Sequence, residues 1–171
     1  MRPLPGSYPT YFENYIYYVT QTDVHLALNQ TWLEVLNTFS GMSEESAEST
    51  YEEGKWTVKE MLIHMIDTER VFAYRALRFG RNDPQMVSSF EENLYVANAN
   101  VSNRSLIDLL EEYELVRKST IHLFRNFSDN VLLNTGKTAA GEITVLALGY
   151  IICGQALHHI NVYKELYLKS V

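Results

Sequence analysis

The chain has 171 residues, 46% of them hydrophobic and 20% charged, which fits one globular domain with a sizeable core. A formal net charge of −7 argues against nucleic acid, whose phosphates require a basic surface. The lone cysteine, Cys153, excludes an internal disulfide and fits a reducing cytoplasm.

The first ten residues, MRPLPGSYPT, read as irregular, because Pro3, Pro5 and Pro9 oppose a helix. They lack the apolar stretch of a signal peptide. Tyr11 to Val19 suggests a short Tyr-rich helix, one part of a chain total of 12 tyrosines that points to wet-edged pockets or interfaces. Asp23 reads as an N-cap. Val24, Leu28, Thr31 or Trp32, Val35 and Phe39 follow at helical spacing, and Gly41 closes the segment. Ser43 opens a short polar helix.

Thr57-Val58-Lys59-Glu60 is a capping box, with Trp56 and Met61 placed as its hydrophobic staple. The helix it starts runs to Gly80, where Asn82 and Pro84 follow. Residues 83–103 read as a long structured crossover loop. Ser105 to Asp108 forms a second capping box. The helix after it carries Leu109, Tyr113, Val116, Thr120, Leu123 and Phe127 on one face. Asn134 to Glu142 reads as a loop with Gly136 and Gly141. Thr144 then caps a last helix to Leu168. Its most apolar run, Val145 to Cys153, is far shorter than a membrane span.

The expected architecture is all-α, over residues 1–171 as one domain. It has four long helices near 23–40, 57–81, 105–127 and 144–168, a long crossover connection and no strand: a four-helix bundle. Two stripes carry its chemistry. One holds Thr57, Met61, His64, Thr68, Val71 and Arg75. The other holds Leu148, Ile152, Gln155, His159, Val162 and Leu166. Polar groups in the middle of a core stripe need partners once buried. His64, Gln155 and His159 at matching depths form either a polar core cluster or a ligand set. His158 should face a neighbouring helix or solvent. His25 and His122 read as solvated, Asp67, Glu69 and Arg70 as surface pairs, and Cys153 as an inert buried thiol. There is no phosphate loop, Cys pair, nucleophile elbow or Glu-x-x-His motif.

Three blocks, Gly54–Asp83 (GKWTVKEMLIHMIDTER and onward), Phe90–Arg117 and Ala147–Leu168 (ALGYIICGQALHHINVYKELYL), resemble the DinB-like, damage-inducible four-helix bundles. The resemblance implies a divalent metal, zinc or nickel, held by one histidine of the second helix and an H-x-x-x-H of the last. His64 matches the first ligand and His159 the third, while Gln155 stands where the pattern has the second. An amide offers a carbonyl oxygen and no basic nitrogen, so weak or absent metal is expected. The resemblance also implies a thiol transferase or hydrolase acting on a small molecule or thiol, and a homodimer. The alternatives are a non-catalytic binding bundle or a stress-related dimer. Neither nucleic acid nor a membrane is expected as a partner.

Overall fold

The computed structural model describes residues 1–168. After a 3-10 turn at Thr10–Phe12, the helices are α1 (Glu13–Tyr18), α2 (Val24–Phe39), α3 (Glu44–Ala47), α4 (Val58–Gly80), α5 (Glu92–Asn98), α6 (Leu106–Arg125) and α7 (Asp129–Leu132). A hairpin of β1 (Thr135–Thr138) and β2 (Gly141–Thr144) leads into α8 (Val145–Val162), which ends in a π turn, Tyr163–Tyr167.

The helices start where their caps dictate. Asp23 accepts from the amides of His25 and Leu26, and Thr144 accepts from that of Ala147. Thr57 and Glu60 make both halves of the capping box. At Ser105 only one half forms: its hydroxyl accepts from the Asp108 amide, while the Asp108 carboxylate takes the Arg104 guanidinium at 2.5 Å. The expected loop 83–103 contains α5 and a 3-10 turn, Val101–Asn103.

Four long helices build the bundle. α4 and α2 each lie beside both α6 and α8, so α2 and α4 face each other across one diagonal and α6 and α8 across the other. The short α3 gives the directions. Its Glu44 caps the Leu106 amide of α6 at 2.7 Å and pairs with Lys59 of α4, just beyond the C-terminal end of α2. At the same end Tyr163 packs on Phe39, and the Tyr167 hydroxyl donates to the Trp56 carbonyl at 2.6 Å. α2 and α8 therefore run one way, and α4 and α6 the other. Of the three links between consecutive long helices, α2 to α4 and α6 to α8 cross a diagonal, and α4 to α6 joins parallel neighbours along the length of the bundle, which a simple up-down bundle does not require.

Three expectations change. The stretch 135–144 is a two-stranded antiparallel hairpin, with Gly136 opposite Ile143, instead of a loop. Its Gly136 is necessary, because a Cβ there would stand 1.9 Å from the Phe79 ring. Second, α8 with its π turn, Val145–Tyr167, is the one helix among the described residues long and apolar enough to cross a membrane. Its best window has a mean hydropathy of 1.3, yet 78% of that window is buried. α8 packs on α1, α2 and α4, and enclosure of that kind makes a helix apolar all round. The π turn also shifts the phase by one residue, so Tyr167 is buried where Leu166 was expected, and Leu166 is 40% exposed.

Third, Glu69 is not part of a surface pair. It is buried on α4 and forms two hydrogen bonds from the Arg117 Nε, at 2.8 and 3.0 Å, and one from Nη2 at 2.8 Å. Arg117 is fully buried on α6. Its Nη1 donates to the Leu28 carbonyl (3.0 Å) and the Thr31 hydroxyl (2.7 Å) of α2. Burial pulls the Arg117 pKa down, but the Glu69 carboxylate more than offsets this and holds it above its ordinary value. Asp67 and Arg70 do pair near the surface, and Arg70 also reaches Glu112 at 2.6 Å.

Breaking a buried pair leaves an uncompensated charge in the core. Glu69→Leu alone should lower stability by about 3–5 kcal/mol in urea unfolding. Glu69→Leu with Arg117→Met should recover most of that loss, because neither charge then remains. A single variant unfolding at the wild-type midpoint would contradict this.

Candidate functional site

The sequence stripe on α4 places His64, Thr68, Phe72 and Arg75 along one wall of a cavity of about 270 Å³. Ile151 and Gln155 of α8 form the facing wall. Tyr11 and Phe12 of the 3-10 turn and Tyr15 of α1 cover it, and Phe90 and the hairpin turn at Ala139 and Ala140 close the far side. The cover fits closely because residue 154 is glycine: a Cβ there would stand 2.0 Å from the Tyr15 carbonyl oxygen. α1 is also tied at its C-terminal end, where the Arg2 guanidinium donates to the carbonyls of Ile16 and Gln21 at 3.0 Å and to that of Val19.

His64 is buried at this wall. Its ring meets the His159 ring edge to face, with centroids 4.9 Å apart, and the Trp56 ring lies 4.8 Å away on another side. The Thr68 hydroxyl is 3.5 Å from His64 Nδ1. His159 lines a second pocket with Trp56, Tyr51 and Tyr167, so the imidazole pair stands between two openings. Burial pushes the His64 pKa down to about 4, with a smaller push from His158. His159 is held well below its ordinary range by burial, and then by His64 and His158. Both rings are therefore neutral near pH 7.

Gln155 is buried one helical turn before His159 and lines the cavity with His64. Its Nε2 is buried with no hydrogen-bond partner. That donor lies unpaired at a cost of about 1–3 kcal/mol. A bound group that supplied the missing partner would relieve that cost.

The structure thus brings the two histidines into ring contact and sets Gln155 in the cavity wall that His64 shares. His158 is half-buried against Tyr15 and Tyr18 of α1, as its angle on the helix implied. His122 is exposed, and His25 is half-buried instead of fully solvated. Cys153 is buried and burial raises its thiol to about 11, so it is inert at neutral pH. Two cavity features were not assigned a role from the sequence: Arg75, although its place on the His64 stripe signalled it, and the aromatic cover from α1.

The donor set does not fit a tightly held zinc or nickel ion. Among the described residues no three His, Cys, Asp or Glu side chains come together as ion ligands. The third member of the constellation is an amide, a poor donor for either metal.

A four-helix bundle with diagonal crossovers and a polar cavity between its second and last long helices defines the class of protein. The chain belongs to the DinB superfamily, which it matches over residues 27–163. No curated protein matches it in sequence. Among solved structures it is similar to YfiT from Bacillus subtilis, described as a probable metal-dependent hydrolase with an unusual four-helix bundle topology. That likeness has 13% identity and a TM-score of 0.78, over 99% of this chain and 93% of the other. It is also similar to a mycothiol-dependent maleylpyruvate isomerase, at 13% identity and a TM-score of 0.68. There 81% of this chain spans 58% of the larger one. At such identities the likeness is one of fold.

The notch at Gly154 positions the cavity cover. Gly154→Ala should force α1 off α8 and lower stability by about 1–3 kcal/mol. Hydrogen exchange in residues 10–18 should increase. Unchanged protection of α1 would show that the contact yields without moving it.

Proposed function

We propose that the protein is a small-molecule enzyme of the hydrolase or thiol-transferase type, with His64, Gln155 and His159 as its reactive centre. The observation that carries this reading is the ring contact of two neutral imidazoles, His64 buried and His159 half-buried, with His64 and the unpaired Gln155 amide together on the wall of an aromatic-lined cavity. A neutral imidazole keeps a lone pair that can accept a proton from a bound water or thiol. The Gln155 amide is placed to hold a carbonyl or hydroxyl of the substrate beside it. The aromatic cover excludes bulk water from that proton transfer. The printed descriptions of the two similar structures, a probable hydrolase and a thiol-dependent isomerase, support an activity of this kind. Membership of the superfamily supports an ancestral metal site, of which this chain keeps two imidazoles. Pairing as a homodimer in the cytoplasm belongs to the same proposal.

Two measurements test it. His64→Phe should slow hydrolysis of a chromogenic aryl ester, or thiol transfer to an aryl electrophile, by about a hundredfold, the scale of a lost general base. An unchanged rate would remove His64 from the chemistry. In calorimetric titration Gln155→His, which restores a third imidazole, should bind zinc at least about tenfold more tightly than the wild type. Equal affinity would mean that the amide is a full ligand and that the centre is an ordinary metal site.

A further inference from the structure

Arg75 is a buried cation without a buried anion. Its residue is 7% exposed, and among the described residues the only hydrogen bond of its guanidinium runs from Nη2 to the Ser88 carbonyl at 2.9 Å. Its Cζ lies 4.9 Å from the centre of the Phe72 ring, which stacks beneath it. No Asp or Glu among the described residues lies within ion-pair distance of it. Contrast Arg117, more deeply buried, which has Glu69. Glu92 of α5 borders the same cavity but is exposed and makes no ion pair with Arg75. Burial without a counter-charge is the state that charged side chains avoid unless a ligand completes it.

The other features of the cavity say what kind of ligand. Arg75 lies eleven residues beyond His64 on α4, about 16 Å along the axis, and helical side chains lean back toward the N-terminus, so its head points toward the imidazole. Between them lie Phe72 and the rings of Phe12 and Tyr15. At the imidazole end Gln155 presents the unpaired amide. The cavity therefore has one fixed positive charge at one end, an apolar aromatic middle, and a neutral hydrogen-bonding end.

We propose that the cavity binds a small aromatic or apolar monocarboxylate, with the carboxylate on the Arg75 guanidinium and a polar group on the Gln155 amide beside His64. The planar guanidinium matches a carboxylate with two parallel N–H···O bonds. One guanidinium with no Lys or second Arg among the described residues of the cavity wall matches a single negative charge better than a phosphate dianion. The proposal rests on the reading of this cavity as the reactive centre and names its substrate class.

The test is calorimetric titration of the full chain with phenylacetate and 3-phenylpropanoate. Each is paired with its neutral primary amide, and phenyl phosphate serves as the dianionic control. At least one carboxylate should bind about tenfold or more tightly than its amide. Phenyl phosphate should bind more weakly than that carboxylate. Arg75→Gln should remove the preference by weakening the carboxylate alone, and Arg75→Lys should keep part of it. Equal binding of carboxylate and amide to the wild type overturns the proposal without any variant, and leaves the cavity as a small-molecule site. Tighter phosphate binding, or a preference unchanged in Arg75→Gln, also overturns it. No binding of acid or amide at millimolar concentration overturns both this proposal and the reading of the cavity on which it rests. A loss of ester hydrolysis in His64→Phe with no carboxylate preference would leave the reactive centre standing and the substrate class wrong.

Discussion

The buried pair of Glu69 and Arg117 is the constraint on which the arrangement of the four helices depends. A guanidinium at the centre of a bundle must have every strong donor answered, and Arg117 is answered by two helices at once: a carboxylate from α4, and a carbonyl and a hydroxyl from α2. α2 and α4 lie across a diagonal, where side chains seldom reach each other directly, and Arg117 bridges them from α6. The apolar core divides into two clusters, one built mainly from the start of α2, the later parts of α4 and α6 and the start of α8, the other at the end closed by α3 and the π turn. Such a pair adds little net stability compared with well-packed hydrophobes. What it adds is register, because sliding α4 against α6 by a turn would strand a charge.

Register matters because the cavity is assembled from side chains on separate elements. His64 and Thr68 belong to α4, Gln155 and His159 to α8, and the cover to α1. α4 is held to α6 and α2 at Glu69, the residue directly after Thr68. α8 is held to α1 by the Gly154 notch next to Gln155. The two fixing points each adjoin a site residue in sequence, so the bundle is most constrained where its chemistry lies.

Much of this was legible in the residues. The four long helices follow from caps that form as read, at Asp23, Thr57 and Thr144 in full and at Ser105 in half. The ring contact of His64 with His159, and the place of Gln155 beside them, follow from stripe positions. The hairpin was missed because TGKT and GEIT are short and joined by Ala139-Ala140, with none of the Asn-Gly or Asp-Gly chemistry that marks a tight hairpin. Glu69 was misread because Asp67 and Arg70 beside it form an exposed helical pair, while its true partner is 48 residues away. Local spacing carries no information about such a bond. The π turn was equally hidden, since a regular helix and one with an added residue share a sequence until Tyr167 is seen to be buried.

On the proposed reading of the site, an amide at Gln155 in place of a third imidazole matters beyond the ligand count. A divalent ion at the imidazole end would make that end the most positive point of the cavity, and an anion entering it would be drawn there. With an amide in that position and both imidazoles neutral, the fixed positive charge of the cavity is the guanidinium of Arg75 at the opposite end. An anion entering the cavity is drawn to it. An acidic ligand is then oriented with its anion away from the imidazoles and its neutral part against them. The polarity of the cavity, and with it which end of a ligand meets His64, is thus set by one side chain on α8 and another on α4 that never touch.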